Sequence, residues 1–225
     1  MDLKLRSINT FLIKHEVYVR LLVIIFYAVG VAGFAIPQTR ELFLKLTPLA
    51  LILSIAVILV FHIEPYNKKT IIFFAAVVAG TWGIETIGVH TGAIFGTYSY
   101  GSGLGIKLFG VPLLIGINWL FLTYCTSTIA RYLPFNPLIK VLLSSLMMVI
   151  YDLILELVAP FLNMWNFEDG MPPLRNYAAW FILSLIIHGL LKISGIKTEN
   201  RLASMIIMAQ ALFFILLIII FKITE

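Results

Sequence analysis

The chain has 225 residues, of which 61% are hydrophobic and only 12% charged, with a mean hydropathy of +1.03. A soluble domain averages about 45–50% apolar and about 25% charged residues. The composition therefore excludes a soluble globular enzyme, a disordered chain and a nucleic-acid-binding domain, and the net charge of +5 is no sign of a polyanionic partner.

A spanning helix needs about 20 consecutive, mostly apolar residues. The apolar runs predict about seven such helices, and their continuity, without alternation, points to an all-α polytopic bundle rather than a barrel. The first run, 18–36, follows a basic start with Lys4, Arg6, Lys14 and Arg20. It is too long for a signal-peptide core and six runs follow it, so it reads as an uncleaved helix. The second, 48–63, is bounded by Pro48 and by Glu64-Pro65, with His62 at its inner end as an interfacial side chain. The third, 70–90, carries Glu85 about 15 residues in, or ~22 Å at 1.5 Å per residue.

The segment from Gly88 to Gly110 interrupts the pattern. It holds seven glycines interleaved with His90, Phe95, Tyr98 and Tyr100. Irregular backbone at membrane depth is tolerated only where protein buries it or where it lines a cavity. The segment therefore reads as a re-entrant or interfacial loop, with a flexible external loop carrying interfacial tyrosines as the plainer reading. The fourth run, 111–131, places Asn118 ~10 Å from the outer face and contains the single cysteine, Cys125, which leaves no disulfide framework. In the fifth, 138–158, Asp152 lies ~21 Å and Glu156 ~27 Å from the start. The sixth, 176–193, carries His188, which reads as hydrogen-bonded structure. The seventh, 202–221, has no lysine and so no Schiff-base site for a retinal pigment.

Of 16 basic residues, 11 fall on the N-terminal side of the predicted bundle and five (Arg40, Lys45, Lys107, Arg175 and Lys222) on the other. The positive-inside rule then places the N-terminus in the cytoplasm and the C-terminus outside. The chain reads as a single integral membrane domain over residues 1–225.

Three of the 11 acidic residues lie at membrane depth: Glu85, Asp152 and Glu156. A carboxylate there costs a few kcal/mol or more and marks a functional interior by default. The three share similar levels, and Asp152 and Glu156, four apart, share one helix face. Convergence on one pocket is the expectation. The plainer readings are a solvated Glu156 at the interface and a Glu85 that caps a broken helix before Gly88. No His-x-x-His or Glu-x-x-His pattern predicts a metal, and no phosphate-binding glycine fingerprint is present.

Two blocks of residues resemble a known family. Glu85-Thr-Ile-Gly-Val-His-Thr-Gly-Ala-Ile-Phe-Gly-Thr-Tyr-Ser-Tyr100 is followed by Leu104-Gly and by Gly110-Val-Pro-Leu-Leu-Ile-Gly-Ile-Asn-Trp119. Later come Asp152-Leu-Ile-Leu-Glu156, Trp165 and Pro172-Pro-Leu-Arg-Asn-Tyr-Ala-Ala-Trp180. Over roughly 80–190 this is similar to the CruF-type membrane carotenoid 1',2'-hydratases, related to bisanhydrobacterioruberin hydratase. The chain has Glu156-Leu157 where the family often has Asp-Pro, which keeps the carboxyl on a longer arm. It has Met171-Pro172-Pro173 where the family often has Gly-Ile-Pro or Gly-Val-Pro.

The resemblance implies a multi-pass protein of a bacterial or archaeal cytoplasmic membrane that adds water to the terminal double bond of an acyclic carotenoid end such as those of lycopene or γ-carotene. The product would be a tertiary alcohol, formed without cofactor or metal. The implied partners are the lipid bilayer, the carotenoid, water and other carotenoid pathway enzymes. The residues suit this chemistry. An apolar surrounding favours the neutral form of a carboxyl group, so a buried carboxyl can hold a proton for an alkene. Aromatic faces stabilise a cation, and a second carboxylate can deprotonate the attacking water. The catalytic candidates are Glu85, Asp152 and Glu156, with Asp152 or Glu85 as acid. Trp82, His90, Phe95, Tyr98, Tyr100, Asn118, Trp119, Asn176 and Trp180 are candidates for holding the substrate or its water. A proton-coupled transporter and a non-catalytic carotenoid-binding protein also accommodate intramembrane acids beside a glycine-rich loop.

Overall fold

The computed structural model describes residues 14–224, so Lys4 and Arg6 lie outside the described residues. Among the described residues there are seven helices long and apolar enough to span a membrane. They are α1 (Glu16–Ala35), α2 (Pro37–Val60), α3 (Lys68–Thr91), α4 (Leu113–Arg131), α5 (Pro137–Val158), α6 (Leu174–Ser194) and α7 (Ala203–Thr224). The chain is an all-α integral membrane bundle, and the seven expected runs correspond to these helices in order.

One boundary differs from its expected place. The second helix starts at Pro37 rather than Pro48, and Pro48 lies inside it. A single extended residue, Ile36, turns the chain between α1 and α2. Pro37 then sits in the first turn, where a missing N–H costs nothing. The segment 37–47 carries Gln38, Arg40, Glu41 and Lys45, so hydropathy does not mark it as helix, although it folds as one.

Helix ends are set by local capping. The Asn67 side chain accepts the Thr70 N–H at 2.9 Å at the start of α3. The Asn136 side chain accepts the N–H groups of Leu138 and Ile139 at 3.0 Å at the start of α5. Asn200 does the same for Leu202 and Ala203 before α7. These bonds occupy donors that the first helical turn leaves without partners.

Helix α4 is the centre of the bundle and packs against α2, α3, α5, α6 and α7. Most of its residues are buried, including Trp119, Leu122, Tyr124 and Cys125. The other helices expose broad apolar faces with Ile71, Leu146, Ile182 and Leu212 among the exposed side chains, as a lipid-facing surface requires. His62 is buried and holds the hydroxyl of Tyr124 at 2.6 Å through Nδ1. It is therefore not an interfacial side chain, because the chain after α2 folds under the α6–α7 connection. There Ile63 N–H donates to the Glu199 carbonyl at 3.0 Å. His188, as expected, is held by hydrogen bonds, to Thr126 and Ser184.

At the opposite end, the glycine-rich segment is ordered. Strand β1 (Tyr98–Tyr100) pairs antiparallel with β4 (Trp165–Phe167). A hairpin of β2 (Lys107–Leu108) and β3 (Val111–Pro112) turns through Phe109 and Gly110, both at positive φ, the signature of a tight primed turn. Gly101 and Gly103 sit against the backbone that follows α5. Their N–H groups donate to the carbonyls of Met164 and Asn163 at 2.9 and 2.7 Å. A Cβ at Gly103 would lie 2.1 Å from the Leu162 carbonyl oxygen. Only glycine allows this approach, so the glycines close the segment down onto the bundle rather than loosening it.

Candidate active site

Strand geometry explains the upper half of the site. Residues two apart point to the same side of a strand, so Tyr98 and Tyr100 face the bundle together. Across the ribbon, Phe167 opposes Tyr98 and Trp165 opposes Tyr100. The ring centroids are 5.1 and 6.1 Å apart. The β1–β4 ribbon therefore lays four aromatic side chains as a roof over the helices.

The lower half comes from helix faces. Glu85 lies on α3, which continues past it to Thr91, so Glu85 is not the cap of a broken helix. Its carboxyl group is 2% exposed as a residue and accepts three hydrogen bonds. Tyr98 hydroxyl donates to Oε2 at 2.5 Å, Tyr100 hydroxyl to Oε2 at 3.0 Å, and Trp119 Nε1–H to Oε1 at 3.2 Å. Burial, reinforced by the neighbouring Glu85, pushes both phenols above their usual range. They remain protonated donors. Trp119 in turn stacks on Trp180 of α6, with centroids 4.1 Å apart and ring planes 21° from parallel.

Asp152 and Glu156 lie one turn apart on α5, facing Asn176 and Trp180, which are likewise four apart on α6. The Asn176 amide donates to Asp152 Oδ2 at 3.3 Å and to Glu156 Oε1 at 3.2 Å. Glu156, half-buried rather than solvated, also accepts from Trp165 Nε1–H at 2.8 Å. Asp152 is fully buried, and its Oδ1 has no hydrogen-bond partner. Such an orphan is rare in a folded interior.

All three carboxyl groups line one cavity, with Phe95 and Ile115 completing its apolar wall. The space is small, about 20 Å³, roughly room for one water molecule. Phe95, Tyr98, Tyr100, Asn176 and Trp180 all line it, and Trp119 reaches it through Glu85.

Three expected members lie elsewhere. His90 is exposed at the end of α3 and bonds the Thr86 carbonyl. Five residues after Glu85, it is turned about 140° around the helix. Trp82 points outward to the β2–β3 hairpin, with Nε1–H 3.4 Å from the Val111 carbonyl and its ring near Phe109. Asn118 is one residue before Trp119 and hence about 100° around α4. It faces an adjoining gap with Leu51, Tyr151 and Phe214, which shares Ile115 and Trp165 with the acid cavity. Conversely, Trp165 and Phe167 belong to the site and were not among the candidates. The signal for them was tertiary: only pairing with Tyr-Ser-Tyr turns Trp-Asn-Phe toward the acids. Among the described residues no group of three His, Cys, Asp or Glu side chains is arranged to hold a metal.

A family model described as "Carotenoid biosynthesis protein" matches residues 46–224, a span that includes every residue of this site. No curated protein and no solved structure matches the chain.

Proposed function

Since the chain belongs to the family of carotenoid biosynthesis proteins, we propose that it adds water to the terminal carbon–carbon double bond of an acyclic carotenoid end, using its buried carboxyl groups as acid and base. The observation that carries this reading is the unequal treatment of three carboxyls around one water-sized space.

Asp152 is the proton donor. Its Oδ1 is buried, has no hydrogen-bond partner among the described residues and is free to carry a proton to an alkene. Glu85 is unsuited to that role, because three donors already occupy its oxygens as acceptors. It acts instead as a fixed acceptor that anchors the roof. The proton goes to the less substituted alkene carbon and leaves a tertiary cation on its neighbour. Trp165, Phe167 and Tyr100 line the space where this cation forms, and their aromatic rings stabilise it electrostatically. Water in the gap forms the new C–O bond and gives its proton to Glu156. That side chain is positioned by Trp165 and Asn176. Asn176 holds Glu156 beside Asp152, and water entering the gap carries the proton from Glu156 back to Asp152, which restores both groups. The balance is one alkene plus one water to one tertiary alcohol.

A site with room for little more than one water requires the roof to shift when a carotenoid end enters. The charge asymmetry of the sequence supports a site in the outer half of the membrane, with the N-terminus in the cytoplasm. The test is pigment analysis in cells that make lycopene and, in parallel, γ-carotene. The expected product is heavier by one water per acyclic end and absent with Asp152→Asn. Unchanged pigments in both hosts, with the protein folded in the membrane, would refute the reading for these substrates.

A further inference from the structure

The end of the bundle remote from the carboxyls holds a second cavity, which the proposed chemistry does not use. It is a cleft of about 400 Å³ between the C-terminal ends of α4 and α6, the start of α5 and the segment that follows α6. Four cationic side chains line it: Arg131, Lys140, Lys192 and Lys197. No acidic side chain is among its lining residues. Two of the cations are neutralised from outside the cleft, Arg131 by Glu199 at 2.8 Å and Lys197 by Glu64 at 3.4 Å. Among the described residues Lys140 donates only to the Arg131 carbonyl, at 2.7 Å, and Lys192 has neither an ion pair nor a hydrogen bond. Two whole positive charges thus face the cleft without a counter-charge. The inner wall is mixed: Val141 and Leu191 are apolar, while Ser144 and His188 present polar atoms.

We propose that this cleft is a binding site for a phosphate group, supplied by the headgroup of an anionic membrane lipid. Charge, shape and position agree. Lysine binds phosphate as a compact point charge, and basic pockets between spanning helices at a membrane surface receive anionic headgroups. The cleft opens where α4 and α6 end and α5 begins, at one end of the spanning bundle. Exposed Leu138 and Leu142 on the adjoining face of α5 give the acyl chains an apolar path away from it. A lipid held here bridges three helices that also carry the carboxyl site, without touching that site.

The test uses the full-length protein in a neutral detergent, with its melting temperature as readout. Phosphatidylglycerol is added, then phosphatidylcholine, then inorganic phosphate. Phosphatidylglycerol is expected to raise the melting temperature by about 5 °C or more, and phosphatidylcholine to do much less. High salt should reduce the effect. Lys140→Gln combined with Lys192→Gln should abolish it, whereas Lys45→Gln at the other end should keep it. Lys192→Glu alone provides a second variant, since Lys192 is exposed and holds no structural bond. Stabilisation by inorganic phosphate alone, lost in these variants, would support the phosphate site and assign it to a soluble anion. Equal stabilisation of wild type and Lys192→Glu by phosphatidylglycerol would overturn the site. None of these outcomes depends on the hydration reaction.

Discussion

The two ends of the bundle solve opposite electrostatic problems with the same three helices. At one end α5 contributes two acids and α6 their shared amide, and an aromatic ribbon closes over them until about one water fits. At the other end α4, α5 and α6 contribute cations around a cleft of about 400 Å³ that stays open. The acids proposed to exchange protons are buried, two of them share the Asn176 amide, and one oxygen of Asp152 has no partner among the described residues. Charges suited to a polar headgroup remain wet. On these two proposals, burial rather than charge count separates the site for chemistry from the site for binding.

The comparison breaks most sharply at Asp152. Asp152→Asn keeps the side chain's size and its contact with Asn176 but removes the transferable proton. Product formation should fall by about 100- to 10,000-fold, the usual range for loss of a general acid, measured by chromatography of pigment extracts against equal amounts of membrane protein. A reduction of only a fewfold would move the acid role elsewhere. Next comes the roof. Gly103→Ala forces a Cβ to within 2.1 Å of the Leu162 carbonyl oxygen. It should cost about 1–3 kcal/mol, read as a lower melting temperature in detergent together with loss of product. Tyr98→Phe leaves one oxygen of buried Glu85 with a single phenol donor. A loss of about 1–2 kcal/mol is expected from the unmade bond, and Tyr100→Phe should cost less because its bond is longer. Smallest, and of opposite sign, is Gly189→Ala on α6. Nothing lies within 4 Å of the added Cβ, so the melting temperature should hold or rise by the equivalent of about 0.5–1 kcal/mol. If Gly103→Ala and Gly189→Ala behave alike, the roof is not held by close backbone approach.

The sequence carried much of the frame. The seven helices were legible because a lipid-facing helix must be apolar over its whole length, which hydropathy reads directly. The cluster of acids was legible for the converse reason: a carboxyl group at membrane depth is anomalous wherever it falls. Pro48 misled because the first turns of α2 are polar, so composition marked the helix only where it becomes apolar. His90, Trp82 and Asn118 show a second limit. Helical rotation turns His90 and Asn118 to other faces, whereas Trp82, three residues before Glu85, is taken up by the β2–β3 hairpin. Trp165 and Phe167 show a third. Trp165-Asn-Phe167 carries the same period of two as Tyr98-Ser-Tyr100, but three residues are too few to mark a strand, and its aromatics turn toward the acids only through pairing with Tyr98–Tyr100.

The most direct measurement incubates membranes carrying the protein with lycopene in heavy water, and follows the pigment by mass spectrometry. A proton delivered from Asp152 to carbon predicts a hydrated product with one non-exchangeable deuterium per reacted end, and no such product from Asp152→Asn. Hydrated, deuterium-bearing pigment formed by Asp152→Asn at the wild-type rate would contradict the account.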